Sequence, residues 1–360
     1  LSKQIWLAPI LSNNRERLLE LASDVLASGP AEGLLYLAAS RPLLELAADR
    51  LLDGVRNRGV WGSLPVHLFR GFARFVLATA TEDETGLPLA PRIAIDREEL
   101  PLKRSLISQI IKRLARDGKL KAIAPLATRE GCINTIATLI GEIQRAARTP
   151  AEFDAIIDAR ARDLYPADRR DSDSSVATEQ PVPLQIDFDR EIGLIYSAYL
   201  AALDRFGLSE DDADQLRALE VLGGEAAGKK VSVPWLSSVR LLVVDGFFDF
   251  TPVQGEMLRL LIPQIPEVIV NLNRDGRNAE IFRPFDRTTD QLKSIAEFEF
   301  HESAEAQPVA PGLSRLRERL FNPTALGAQA SLPASSSETP VSAPETPGRQ
   351  GCLRSQGLRY

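Results

Sequence analysis

Apolar residues along this chain fall into two kinds of block, and the alternation of those blocks predicts most of its architecture. Short uninterrupted runs read as strands buried on both faces, and runs with apolar positions every three or four residues read as helices. QIWLA at 4–8 is the first strand candidate. A turn-forming loop over 9–14 leads to a helix over 15–27, where Leu18, Leu19, Leu21, Ala22 and Val25 recur at helical spacing. GLLYLA at 33–38 is the next strand, 41–52 the next helix with Pro42 in its first turn, 59–66 a short extended piece, and 68–78 a third helix. Strand, loop and helix in alternation predict a parallel sheet flanked by helices.

The pattern changes at about residue 97. Helices with polar joints are predicted over 101–117, 129–147, 150–164 and 188–206, an inserted helical subdomain interrupted by an Asp-, Ser- and Pro-rich loop at 165–183. The chain returns to the sheet with VRLLVV at 239–244, a helix over 252–262, and strands at 267–272 and 296–300. A short basic helix is expected at 313–320, and beyond it an Ala-, Ser-, Pro- and Gly-rich tail too poor in apolar residues to order itself. The expected organisation is an α/β domain in two parts, 1–96 and 223–322, around a helical insertion at 97–222, with a disordered tail at 323–360.

Composition narrows the function classes. At 44% hydrophobic and 26% charged, the 360 residues suit a folded globular protein, and a net charge of -6 argues against a uniformly basic nucleic-acid coat while leaving room for a local basic groove. Cys132 and Cys352 are the only cysteines, so a disulfide scaffold, a four-cysteine zinc site and a complete cysteine-ligated iron–sulfur site are disfavoured. No run reaches the roughly 18–20 apolar residues of a membrane span, and no signal sequence opens the chain, so a cytoplasmic protein with no membrane partner is expected. His67 and His301 stand without ligand spacing around them, and Trp6, Trp61 and Trp235 lie in apolar contexts that favour packing over base stacking.

Three stretches compete for a nucleotide site. The first is the loop after the opening strand, Ala8 to Arg15, which stands where a phosphate-binding loop would. It has no glycine, Asn14 takes the place of the phosphate lysine and Arg15 that of the magnesium-binding hydroxyl, so the other reading is an ordinary loop capped by Ser12 or Asn13. The second, GGEAAGKK at 223–230, fits the spacing of the same motif. It lacks the hydroxyl and follows a helix, so it is read as a flexible, solvated connection. The third is VDGFFDFTPVQ at 244–254, which ends a buried strand on Asp245, where ligands bind in open α/β sheets.

That third stretch resembles the second ATP-site motif of superfamily 1 helicases, V-D-E-F-Q-D-T-x-P-x-Q, at Val244, Asp245, Phe247, Asp249, Pro252 and Gln254. Gly246 replaces the glutamate that would activate water. The stretch is similar, more closely, to V-D-G-F-x-D-F-T-P-x-Q in the N-terminal helicase-like part of AddB-type subunits of bacterial helicase–nucleases. The strand–loop–helix opening, the helical insertion and VPWL at 233–236 agree with that family over about residues 4–300. The resemblance implies a P-loop NTPase-like, superfamily 1 helicase-like parallel sheet in a non-motor subunit that binds single-stranded DNA beside an AddA-type partner during recombinational repair of double-strand breaks. The family's second helicase-like domain and PD-(D/E)XK nuclease have no counterpart before Tyr360, which implies a truncated or disrupted product.

Ser12, Asn13, Asn14, Arg15, Asp245, Gly246 and Gln254 are accordingly expected to form a degenerate nucleotide site without catalytic residues, where ATP and magnesium binding is disfavoured. For Asp245 the roles left open are holding magnesium, or else capping the helix near Pro252 or bonding the turn, and Asp249 is read as a turn or packing carboxylate. The expected DNA contacts are Lys112, Arg113, Arg116, Lys119 and Lys121, among further cations at Lys103, Arg104, Arg145 and Arg148. The same cations are equally the solvated face of a helix whose buried stripe is Ile107, Ile110, Ile111 and Leu114. Residual ATPase or helicase activity and a fragment without independent function are the alternatives to a non-catalytic DNA-binding scaffold.

Overall fold

The apolar runs pair into one sheet. The computed structural model describes residues 2–9, 12–28, 30–55, 64–95, 102–164, 184–274 and 279–303, all within the unit Leu1–Pro308. Most of the extended piece expected at 59–66, the loop at 165–183, the helix at 313–320, the tail and Trp61 lie outside the described residues. The chain opens with β1 (Ser2–Ala8), α1 (Asn14–Ser28), β2 (Leu34–Ala38), α2 (Arg41–Val55), β3 (Val66–His67) and α3 (Phe69–Thr79). Two short strands, β4 (Thr81–Glu82) and β5 (Ile93–Ala94), lead to the helices α4 (Leu102–Arg116), α5 (Glu130–Arg145), α6 (Pro150–Leu164) and α7 (Leu184–Arg205). Next come β6 (Leu208–Ser209), α8 (Asp211–Leu222), β7 (Glu225–Ala226) and β8 (Lys229–Ser232). The last elements are β9 (Leu241–Asp245), α9 (Pro252–Leu261), β10 (Glu267–Asn273), α10 (Ala279–Lys293) and β11 (Glu299–Glu302).

Six strands form a parallel sheet in the order β11-β1-β10-β9-β2-β3. Side chains alternate between its faces. Ile5, Leu7, Leu35, Leu37, Leu242 and Val244 enter one core with residues of α3, α8 and α9, while Trp6, Leu34, Tyr36, Leu241 and Val243 enter another with α1 and α2. Burial on both faces is why these strands read as continuous apolar runs and not as alternating ones. The fold is thus mixed α/β with a parallel central sheet.

A third core lies among the helices, where Ile107, Ile110, Ile111 and Leu114 of α4 meet Ile136 and Ile140 of α5 and Ile195, Tyr196 and Tyr199 of α7. Glu191 of α7 is 8% exposed and accepts the backbone amides of Lys121, Ala122 and Ile123, which fixes the turn after α4. The expected boundary at 222 falls at the end of a shared element, because α8 gives Ala213 to the helical core and Ala218, Val221 and Leu222 to the sheet core. Its acidic N-terminus gathers Arg70 and Arg74 of α3, Lys103 of α4 (2.6 Å to Glu210) and Arg145 of α5 (2.7 Å to Asp212). Anions at this end of a helix also suit its dipole.

One expectation is overturned here. The segment at 223–230 is no flexible connection but a β-hairpin of β7 and β8, joined through Ala227 and Gly228 at φ 50° and 76°, with β4 pairing against β8. Positive φ at both turn residues matches the twist of the flanking strands, so the glycine serves the hairpin and not a phosphate.

Candidate functional site

At the carboxyl edge of the sheet, α1 and β9 bring together residues 230 positions apart in sequence. Asp245 ends β9 and is 0% exposed. Across the ladder its register partner on β10 is Asn271, whose side-chain amide donates to Asp245 Oδ1 at 2.7 Å. On the other side Ala38 is the β2 partner, and Tyr36, two residues earlier on the same face, donates its hydroxyl to Oδ2 at 2.9 Å. Arg15, in the first turn of α1, closes the group with Nε at 2.8 Å from Oδ2 and Nη2 at 3.3 Å from Oδ1. The fork geometry gives two charge-assisted hydrogen bonds to one carboxylate. Burial lowers the proton affinity of Arg15, but its hydrogen bond to Asp245 and that carboxylate's charge outweigh this and hold the guanidinium above its ordinary value. Burial and then the same charge push the Tyr36 hydroxyl up, so it remains a donor.

The alternative in which Asp245 caps the helix near Pro252 is therefore wrong. Thr251 is the N-cap of α9, with Pro252 at the first helical position, and the Gln254 side chain accepts the Thr251 amide at 3.2 Å. Gln254 is thus engaged in a cap and not turned toward Asp245. Asp249 is exposed, with no hydrogen bond or ion pair among the described residues. Gly246 follows Asp245 at φ 78°, and a Cβ built there would stand 2.4 Å from Leu43 Cδ1. The position expected to have lost a glutamate has a backbone that disfavours any side chain.

Between β1 and the first turn of α1, three amides of the described residues are engaged within the chain. Ser12 N–H closes a turn on the Pro9 carbonyl at 2.9 Å, Asn14 N–H faces Ser12 Oγ at 3.4 Å, and Arg17 N–H bonds the Asn13 carbonyl at 3.1 Å as α1 begins. A phosphate cradle needs such amides free. Asn14 is 6% exposed and, with Gln4, Trp6, Arg17 and His301, lines a cavity of about 640 Å³ between α1 and the β1–β11 side of the sheet. Trp6 bonds Gln4 at 2.8 Å beneath Arg17, and half-buried Trp235 donates to Thr79 at 2.7 Å, so both indoles are packing groups. His67 stacks on Phe75 with ring centroids 5.0 Å apart.

Magnesium does not fit these residues. It takes near-octahedral oxygen ligands. Here both Asp245 oxygens face donors, and one of those donors is itself a cation. Among the described residues no group of three or more His, Cys, Asp or Glu side chains is placed to hold a metal.

The cations of the helical region separate into two sets. Lys103, Arg145 and Arg148 are in ion pairs with Glu210, Asp212 and Glu152. Arg104, Lys112, Arg113, Arg116, Lys119 and Lys121 are exposed and have no ion pair among the described residues. Lys112 and Arg116 share one column of α4, Arg113 lies one turn before Arg116, and Lys119 and Lys121 follow, also exposed, in the turn after the helix.

Two members of the carboxyl-edge cluster, Tyr36 and Asn271, are missing from the sequence expectation. Each is a buried residue with a polar group inside a mostly apolar strand, and a buried polar group needs a partner. That signal marks them in LLYLA and VIVNLN. Among the described residues no helix is long and apolar enough to cross a membrane. Comparison of the chain with protein-family models and with curated proteins gives no match to either.

Proposed function

We propose that this chain is a non-catalytic, helicase-like scaffold that binds single-stranded DNA, with a P-loop NTPase-like sheet whose nucleotide site has degenerated. The observation that carries the reading is the set of exposed cations on α4 and in the turn at 119–121, which have no ion pairs among the described residues. Single-stranded DNA asks for such positive charge on a neutral or acidic protein. Glu191 holds that turn through its backbone, so Lys121 stands on an ordered support.

The non-catalytic half of the reading is supported at the carboxyl edge. Phosphoryl transfer needs a charge clamp on the phosphates and a group that positions water. Asn14 and the conformation of Gly246 supply neither. The AddB-type resemblance of residues 244–254 names the setting, recombinational repair of double-strand breaks, and the partner, an AddA-type helicase–nuclease subunit.

A second reading, that these cations are only the solvated face of α4, is favoured by Arg113 and Arg116 standing in the last turn, where positive charge complements the helix dipole. Salt-dependent binding separates the two. The Lys112→Glu/Arg113→Glu variant is expected to weaken binding of an oligothymidylate and to flatten the log–log salt dependence by about 1.4, at roughly 0.7 for each phosphate no longer neutralised. Equal binding by the folded variant, or no binding by the wild-type chain at low salt, refutes the DNA-binding role.

A further inference from the structure

We propose that the outer edge of β11 and the cavity beside it form a docking site for an extended segment of a partner protein, one in which an acidic residue is followed by a basic one. β11 is the outermost strand of the sheet, and among the described residues it pairs only with β1. All four of its residues are exposed. The Ser303 amide bonds the Leu7 carbonyl of β1 at 2.8 Å, and amides alternate in direction along a strand, so those of Phe300 and Glu302 turn outward. An edge of this kind takes a further strand through main-chain hydrogen bonds, and pockets for alternate side chains decide which strand it takes.

The cavity of about 640 Å³ is such a pocket, since residues 300–303 line it together with Gln4 and Trp6 of β1 and Asn14 and Arg17 of α1. Gln4 is already engaged with Ser2 and Trp6, at 2.8 Å each. Asn14 is not: it is 6% exposed, and its carboxamide has no hydrogen bond among the described residues. A buried polar side chain left without a partner calls for one from outside the chain. Arg17 is exposed, with its guanidinium 5.3 Å above the Trp6 ring, and it has no ion pair among the described residues. A cation and an amide donor facing one space suit a carboxylate. His301 lies on this face of the sheet with Trp6, its register partner, and Glu302 lies on the opposite face, also without an ion pair among the described residues. Side chains of an added strand alternate in the same way, so an acid facing Arg17 is followed by a base facing Glu302. A second copy of β11 is the poorer occupant, because Glu299 and Glu302 are the kind of edge charge that discourages self-pairing.

Fluorescence anisotropy with the full chain and a labelled, end-blocked peptide, Thr-Val-Thr-Glu-Lys-Thr-Val, tests the inference without DNA or nucleotide, so its failure is separate from failure of DNA binding. Saturable binding is expected. Arg17→Ala in the protein, or alanine in place of the peptide's glutamate, should each weaken it at least roughly tenfold, since a hydrogen bond to a charged group is lost. Methylating alternate backbone amides of the peptide should abolish binding in one phase and spare it in the other, because only every second amide of an added strand faces β11. Glu302→Pro removes an outward N–H at an edge position, where proline is tolerated, and should abolish binding while leaving the thermal transition in place. If that variant does not fold, the phased methylation carries the same test on the wild-type chain. No saturable binding by the wild-type chain, binding that survives methylation in both phases, or equal binding by a folded Arg17→Ala protein would overturn the inference.

Discussion

Removing the Arg15 guanidinium should cost more than an ordinary ion pair, because its partner has no access to water. Asp245 is 0% exposed, whereas the Arg15 side chain is 27% exposed. Breaking a buried pair from one side typically costs about 3–5 kcal/mol, since the remaining charge is stranded. Two donors stay with Asp245 after the change, Tyr36 at 2.9 Å and Asn271 at 2.7 Å, and Arg15 itself is partly solvated. Both facts bring Arg15→Ala to just below that range, about 2–3 kcal/mol. Asp245→Asn leaves Arg15 free to turn to water, so it should cost less, about 1–2 kcal/mol. The double variant has no stranded charge, and its cost should fall short of the sum of the singles by about 2 kcal/mol. Urea unfolding of the four proteins, followed by tryptophan fluorescence and circular dichroism, measures that coupling. Costs that add to within about 0.5 kcal/mol would refute the account of this cluster, since independent groups behave in that way.

Other consequences follow at single positions. Gly246→Ala should destabilise the chain by about 1–2 kcal/mol, from the left-handed φ and the close approach to Leu43, and Gly246→Glu should do the same without conferring ATP hydrolysis. Thermal melts and a phosphate-release assay check the pair. His67 is held down from 6.5 to about 4 by burial, so the unfolded chain takes up the proton first as pH falls. Its contribution is complete above about pH 6.5 and is lost progressively down to about pH 4, by up to about 3 kcal/mol. A His67→Phe variant should show a flatter stability profile across that window, and a profile parallel to wild type would contradict the assignment.

The sheet is the most legible part of the chain. LLYLA, LLVVD and EVIVNLN are apolar runs because both faces of each strand are covered, and a run of that kind has few other homes. Elements whose pattern is mixed are harder to read. In α8 the buried Asp214 and Gln215 interrupt the apolar stripe, and in α10 Pro284 argues against a helix from sequence alone. The strand expected at 296–300 lies at Glu299–Glu302, because Ala296 and Phe298 pack into the core as the lead-in to β11. The site shows the same division. Asp245 can be singled out from its place at a strand end, but the partnership with Arg15 cannot, since it depends on β10 lying between β1 and β9. In the sequence Arg15 reads only as a missing hydroxyl. Its length and charge gain meaning once the sheet order brings α1 over the carboxyl end of β9.

The measurement that bears most directly on the central claim is ATP turnover by the chain beside its binding of a fluorescent oligothymidylate, each with and without magnesium-ATP. The account predicts binding that falls with salt and is unchanged by magnesium-ATP, together with phosphate release no faster than that of the Asp245→Ala protein. Robust hydrolysis stimulated by single-stranded DNA and abolished by Asp245→Ala would contradict it.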